Sequence, residues 1–334
     1  MTQDVTITLA EVQSAARAAL LRAGCDEANA AAVADVITRA ERDGCASHGL
    51  FRLPGYLASL ARGKVDGRAA PSSEQLAPGV TRIDGRSGFA PLAMQAARDA
   101  IAPLAVAQGI AAAAIVNVHH FSALWADLEA LVESGLCAFL FTSYLPTVAP
   151  AGATKPFFGT NPMAFGWPGD DGFIFDAATA ATARGELQIA ARDGHLAPEG
   201  AGIDADGVAT RDPAKILAGA QLPFGGHKGS AIALMIELLA GILLGQPTSP
   251  EAGREHGALE GASGPPRGGM LMIALDPRKF GDAGGWRAHA KDFFAELRAL
   301  PGVRLPGDRR RIERTRIATE GVRVPTALWN AIRR

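Results

Sequence analysis

The sequence predicts an α/β protein with helical segments at both ends, and three observations carry this. Residues Leu9 to Ala23 and Glu27 to Asp43 are Ala-rich, with apolar positions at helical spacing. From Val80 to Thr142, apolar strand-like runs alternate with helix-period segments, the pattern of an α/β core. Towards the other end, Trp286 to Ala299 is amphipathic at helical spacing, and a last helix is expected from about Pro325.

The individual elements follow from local chemistry. Gly24 and Gly44 end the first two helices. A third is expected from near Gly49 to about Arg62, with Gly63-Lys64-Val65-Asp66-Gly67 as its exit turn. Val80 to Asp84 reads as a strand, Pro91 to Gln108 as a helix and Ile110 to Val118 as a buried strand. Phe121 to Ser134 reads as a helix and Leu136 to Thr142 as another buried strand. The stretch Ser143 to Pro162, with four prolines, is a long loop of the kind that is often functional. Short strands are expected at Met163 to Trp167, Phe173 to Asp176 and Glu186 to Ala191. Asp193 to Pro213 reads as a surface excursion, Pro247 to Gly269 as irregular and Met270 to Leu275 as a strand.

At 334 residues the chain is long enough for a large core. A formal net charge of −1 gives no global basic field for nucleic acid or a membrane surface. Cys25, Cys45 and Cys137 are odd in number and widely spaced, which suggests reduced thiols in a cytoplasm, with no disulfide framework and no metal site. Met1 to Asp4 lacks the character of a signal peptide. The most apolar run, Gly229 to Gly245, is short for a span of about 20 residues and holds Glu237, so a buried helix is expected there.

The chemistry concentrates in Ser47-His48-Gly49-Leu50-Phe51-Arg52, with Tyr56 beyond it. In a helix, His48, Arg52 and Tyr56 share one face, setting a proton donor beside a carboxylate clamp. A solvated helix carries the same spacing. Asn117 to Ser122 lies at a strand-to-helix junction, where His120 and Ser122 suit a phosphate or ribose, or serve a structural purpose. Gly159-Thr160-Asn161-Pro162 is a tight turn that either presents the Thr160 hydroxyl or only reverses the chain. Small residues after Phe175-Asp176 permit close approach by a ligand. Leu222 to Gly229 is a Gly-rich entry to a helix with His227 and Lys228 at its mouth, fit for a phosphate or for solvent. No Gly-x-Gly-x-x-Gly, Walker, His-Glu-x-x-His or Gly-x-Ser-x-Gly pattern is present, which argues against Rossmann, P-loop, zinc-hydrolase and α/β-hydrolase readings.

In order along the chain, Ser47-His48-Gly49 with Arg52 and Tyr56, Asn117 to Phe121, Pro150 to Pro162, and Gly226 to Gly229 resemble the type 2 malate/L-lactate dehydrogenase family of NAD(P)-dependent oxidoreductases. The resemblance implies a non-Rossmann α/β fold with a mixed-sheet domain, homodimers and no metal. It implies a helical substrate and dimerisation domain at residues 1–76, completed by 285–334, and a cofactor-binding domain at 77–284. His120 to Trp125, Ala183 to Leu187 and Leu222 to Ser230 look like the branch that reduces the cyclic imino acids Δ1-piperideine-2-carboxylate and Δ1-pyrroline-2-carboxylate to L-pipecolate and L-proline. An NAD(P)-dependent dehydrogenase of a 2-hydroxy acid (malate, lactate or ureidoglycolate) is the second reading. A binding protein without catalysis is the third, opposed by the retained polar residues.

The same resemblance implies roles. His48 would protonate the imine nitrogen, oriented by Ser47 and by an acid that here is Glu186, one methylene longer than the Asp expected in relatives. Arg52 would clamp the substrate carboxylate, with Thr160, Arg184 and Gly185 completing the pocket. The dinucleotide would be held by His120, Phe121, Ser122, Ala123 and Leu124, by Asp176, Ala177 and Ala178, by His227 and Lys228, and by Arg304, Leu305, Pro306, Gly307, Asp308, Arg309 and Arg310. Lys228 and the basic tail favour NADPH over NADH, because arginine accommodates the 2′-phosphate. A helix N-terminus lowering the His48 pKa and a carboxylate raising it are expected to cancel in part.

Overall fold

A computed structural model describes residues 4–120, 123–170, 172–257 and 264–334. Strand β1 (Asp4–Ile7) leads into helices α1 (Leu9–Arg22) and α2 (Glu27–Arg42). Thr8 and Glu11 form a capping box on α1, with Glu11 N donating to Thr8 Oγ1 at 3.2 Å and Thr8 N to the Glu11 carboxylate at 2.8 Å. Asp26 caps α2 by accepting from Asn29 N at 2.9 Å.

No continuous helix starts at Gly49. Two 3-10 turns, Ala46–His48 and Leu50–Arg52, precede α3 (Leu53–Ala61). Gly49, with ψ at −141°, breaks them apart, so His48 and Arg52 sit on successive turns instead of one helical face. Tyr56 turns into the core and meets the Phe89 ring edge-on at 4.9 Å.

Next come β2 (Ser72–Ala77), β3 (Val80–Phe89), α4 (Ala90–Gln108), β4 (Ile110–His119), α5 (Leu124–Glu133), β5 (Cys137–Thr142), β6 (Met163–Trp167) and β7 (Phe173–Ala177). The segment expected as a strand at Glu186 is helix α6 (Arg184–Asp193). The surface excursion contains β8 (Gly202–Ile203) and β9 (Ala209–Thr210), and after it come α7 (Pro213–Ala218) and β10 (Ala220–Gln221), the last of which pairs with β8 in a small sheet. Helix α8 (His227–Ile236) continues through a π turn at Glu237–Gly241 and a 3-10 turn at Ile242–Leu244. Helix α9 (Ser249–Gly257) occupies part of the stretch expected to be irregular. Strand β11 (Arg267–Leu275) and α10 (Trp286–Ala299) follow. The basic tail enters α11 (Asp308–Glu320), then β12 (Val322–Pro325) and α12 (Thr326–Arg333).

The principal sheet has the order β2-β3-β4-β11-β5-β6-β7. Only the β3–β4 pair in it is parallel, with α4 as the crossover. Ile83, Ile115, Leu140 and Met272 from the sheet bury against Met94 and Ile101 of α4 and Leu128 of α5. A second core joins Val12, Leu20, Val33, Ile37 and Leu53 to Ile317, Val322, Trp329 and Ile332, and β1 pairs antiparallel with β12. Both ends of the described chain thus share one helical core.

The run from His227 to Leu244 is not the buried helix its composition predicts. It is long and apolar enough to cross a membrane, yet only 33% of it is buried. Leu234, Leu238, Ile242 and Leu243 form part of an apolar surface, with Leu243 65% exposed.

Candidate active site

The two 3-10 turns put an imidazole and a guanidinium on the same wall of a cleft. His48 N donates to Cys45 O at 2.9 Å, and Arg52 N to Gly49 O at 2.9 Å, which closes each turn. The Ser47 hydroxyl lies 3.2 Å from His48 Nδ1. The Arg52 side chain folds back so that Nε donates to Ser47 O at 2.7 Å, and Nη1 reaches Gln188 Oε1 at 3.2 Å. Helix α6 comes close because Gly185 lacks a Cβ, which would lie 2.8 Å from Arg52 Nη2 and 2.9 Å from Ser47 Cβ.

The cleft has a volume of about 890 Å³, at the upper end of the roughly 300–1,000 Å³ of small-molecule sites. Ser47, His48, Arg52, Arg184, Gly185 and Glu186 line one side. His120, Thr142, Tyr144, Thr160 and Pro162 line the long-loop side, and Trp125, Asp176 and Ala178 another. Gly302, Arg304, Leu305, Pro306, Gly307, Arg309 and Arg310 complete the lining together with Cys45, Ala183 and Gln188. Five arginines against two carboxylates make the cleft strongly cationic, which suits an anionic ligand.

The long loop is held from behind by a buried polar cluster. Asn161, fully buried with φ at +34°, accepts from Tyr144 N at 3.2 Å and donates to Glu237 Oε1 at 2.8 Å. Ser249 N donates to Glu237 Oε2 at 2.8 Å, and Ser249 Oγ also donates to Glu237. Gly159 N in turn donates to Ser249 Oγ at 2.9 Å. Thr160 and Tyr144 therefore face the cleft from a backbone pinned to the π turn after α8.

Trp125 is tied to two carboxylates beside the cleft. Its indole Nε1 donates to Asp43 Oδ2 at 3.0 Å, and its backbone N to Asp176 Oδ2 at 3.2 Å. Asp43 also takes Arg42 and Arg314, which hold its carboxylate below the usual range despite burial. The His48 ring meets Trp125 edge-on at 6.2 Å, and the Arg310 guanidinium lies 5.2 Å from the indole centroid. Arg310 also donates to the Ile174 carbonyl.

Burial dominates the electrostatics. It lowers the His48 pKa to about 3, and the Arg52 cation acts in the same direction. Balance by a carboxylate, expected from the sequence, is not found: Glu186 is exposed, lines the cleft, and makes no hydrogen bond to His48 among the described residues. His120, which shares a hydrogen bond with Thr142 Oγ1 at 3.1 Å, is lowered to about 4 by burial. Asp176 is raised to about 6 by burial, against the bond from Trp125 and the charge of Arg310. Burial raises the Cys45 thiol to about 11, against the charges of Arg310 and Arg309.

Several residues expected at the site lie elsewhere. His227 and Lys228 are exposed at the mouth of α8, outside the cleft lining. Ala123 and Leu124 are buried in packing, Ala177 is exposed, and Asp308 accepts from Leu305 N at 2.8 Å to shape the turn before α11. Phe121 and Ser122 lie outside the described residues. Tyr144, Gln188, Thr142 and Cys45 line the cleft without having been singled out, since only tertiary folding brings them there. Trp125 is buried at the cleft, and Trp329 is buried in the helical core.

Fold and cleft together define an α/β protein whose mixed sheet, without the Rossmann fingerprint, carries a cationic small-molecule cleft. The chain belongs to the malate/L-lactate dehydrogenase family, whose profile matches residues 7–333. It is 50% identical to the Δ1-pyrroline-2-carboxylate reductase of Ancylobacter novellus, over 98% of this chain and 97% of that one. It is 46% identical to the Δ1-pyrroline-2-carboxylate/Δ1-piperideine-2-carboxylate reductase of Pseudomonas aeruginosa, over 97% of each. The crystal structure of Δ1-piperideine-2-carboxylate reductase from Pseudomonas syringae superposes with a TM-score of 0.92 at 40% identity, covering 98% of this chain and 99% of that one.

Proposed function

We propose that this protein is an NADPH-dependent reductase of the cyclic imino acids Δ1-pyrroline-2-carboxylate and Δ1-piperideine-2-carboxylate, forming L-proline and L-pipecolate. The observation that carries it is the convergence of His48 and Arg52 on one cationic cleft, in a chain whose near-full-length relatives bear those substrates in their names.

The cleft fits a dinucleotide on its own features. Asp176 offers a half-buried carboxylate suited to ribose hydroxyls, and Arg304 and Arg309 offer cations for phosphates. NADPH, when bound, supplies the hydride. Arg52, with Nε anchored on Ser47 O and Nη1 on Gln188 Oε1, lines the cleft where its guanidinium would bind the substrate carboxylate. Arg184 adds positive charge beside it. Ser47 Oγ pairs with His48 Nδ1 and so leaves Nε2 for the substrate. In the imidazolium that acts as the acid, Nδ1–H donates to Ser47 Oγ, and the Nε2 proton passes to the imine nitrogen to leave neutral imidazole. An arriving carboxylate raises the imidazole pKa from its depressed value, so substrate binding itself arms the acid. In this reading Glu186 tunes the field at the cleft wall without bonding to the imidazole.

Other elements follow the same reading. Residues 1–76 and 285–334 form the helical domain and 77–284 the cofactor domain, supported by the two separate cores. The exposed apolar face after His227 suits a homodimer contact, which would also bring a partner against the His227 and Lys228 cations. Sedimentation as a monomer at micromolar concentration would refute that contact. Free Cys25, Cys45 and Cys137 fit a cytoplasmic setting.

The test is NADPH oxidation with Δ1-pyrroline-2-carboxylate, Δ1-piperideine-2-carboxylate, pyruvate and oxaloacetate in parallel. Higher kcat/KM on either imine supports the proposal. Higher kcat/KM on an oxo acid makes the protein a 2-hydroxy acid dehydrogenase.

A further inference from the structure

Glu41 is a carboxylate buried in the last turn of α2, only 6% exposed. Its Oε1 accepts from Leu50 N at 2.7 Å, its hydrogen-bond donor among the described residues. A Cβ built on Gly49 would lie 2.1 Å from that oxygen and 2.5 Å from the carboxyl carbon. Gly49 has φ at −88° but ψ at −141°, outside the regions that side-chain-bearing residues favour, so glycine here both permits the break between the turns and leaves room for Glu41.

The position of this contact matters. Gly49 joins the turn that carries His48 to the turn that carries Arg52. The Leu50 N–H opens the second turn and has no partner within it, the usual fate of first-turn amides. Burying a carboxylate is costly, and an apolar side chain would fill the same space at less cost. A buried acid bonded to one backbone amide is explained by the geometry that the amide must keep.

We propose that Glu41 is a positioning residue for the reaction: its carboxylate occupies the space under Gly49 and bonds Leu50, and so sets the angle between the His48 and Arg52 turns. The proposal rests on the reading of His48 and Arg52 given above. It reaches the substrate only through those two residues, and a misplacement of about 1 Å at such a site costs about 100-fold in rate.

The test compares full-length Glu41→Ala, Glu41→Gln, Gly49→Ala and His48→Ala with the unaltered chain, measuring kcat and KM on Δ1-pyrroline-2-carboxylate, NADPH affinity by fluorescence, and thermal melting. Glu41→Ala is expected to lower kcat about 10- to 100-fold with NADPH affinity within about twofold. Glu41→Gln, which keeps the acceptor oxygen and the volume, should recover most of the loss. Gly49→Ala, which crowds the carboxylate and also disfavours the backbone break between the turns, should lower kcat too; if Glu41→Ala fails to fold, undiminished kcat in Gly49→Ala still overturns the proposal. Undiminished kcat in folded Glu41→Ala or Gly49→Ala, or a Gln variant as impaired as Ala, overturns the proposal. Full turnover by His48→Ala overturns its premise instead.

Discussion

Arg52 Nε donates to the carbonyl oxygen of Ser47 at 2.7 Å, so the guanidinium is tied to the same turn that carries His48. The bond removes much of the rotamer freedom of a long side chain and holds the guanidinium at the cleft wall. Arg52→Lys keeps the charge but cannot bond Ser47 and present a fork at once. It should raise KM for the imine about 10- to 100-fold, the value of a charge-assisted hydrogen bond or two, with the melting temperature changed little. Steady-state kinetics checks this, and an unchanged KM would remove Arg52 as the clamp.

Cofactor preference is expected to reside in the tail. Arg304 and Arg309 line the cleft, whereas Arg310 is occupied by Trp125 and the Ile174 carbonyl. Replacing Arg304 and Arg309 together by Ala should raise KM for NADPH about tenfold or more and leave KM for NADH nearly constant. Equal loss with both cofactors would mean that these arginines do not read the 2′-phosphate.

The buried His120 makes a pH prediction whose sign can be worked out. Its folded pKa, about 4, is below the ordinary 6.5, so the fold favours the uncharged ring. The unfolded chain binds more protons below pH 6.5, and the stabilisation from His120 is lost as pH falls from there towards 4. His120→Asn lacks this proton linkage. Relative to the unaltered chain it should gain about 2 kcal/mol between pH 7.5 and pH 5, from 1.4 kcal/mol per unit of pH below 6.5. Urea unfolding at the two pH values measures it, and a pH-independent difference would contradict it.

Much of this was legible in the sequence, for identifiable reasons. Helix α10 falls at Trp286–Ala299 as its amphipathic period requires, and α4 within a residue of its expected start. Strand β2 was not legible, because its exposed, polar residues show no apolar alternation. Glu186-Leu187-Gln188-Ile189 alternates like a strand, yet Ala183 in an extended N-cap starts a helix whose buried residues are Gly185 and Leu187 alone. The run after Lys228 is apolar all round, which locally means burial, and only the assembled surface shows one face left open. His48 and Arg52 were legible as a pair, but their common wall depends on Gly49 and Glu41, a contact between α2 and the turns that no spacing reveals.

The central claim is that His48 delivers the proton in a cleft where Arg52 holds the substrate. The most direct measurement is single-turnover NADPH oxidation by His48→Ala on Δ1-pyrroline-2-carboxylate, with NADPH and substrate affinities measured alongside. Loss of about 100- to 10,000-fold in the rate, the range for a general acid, with both affinities within a few-fold of the unaltered protein, is the predicted result. A rate within a few-fold of the unaltered protein would contradict it.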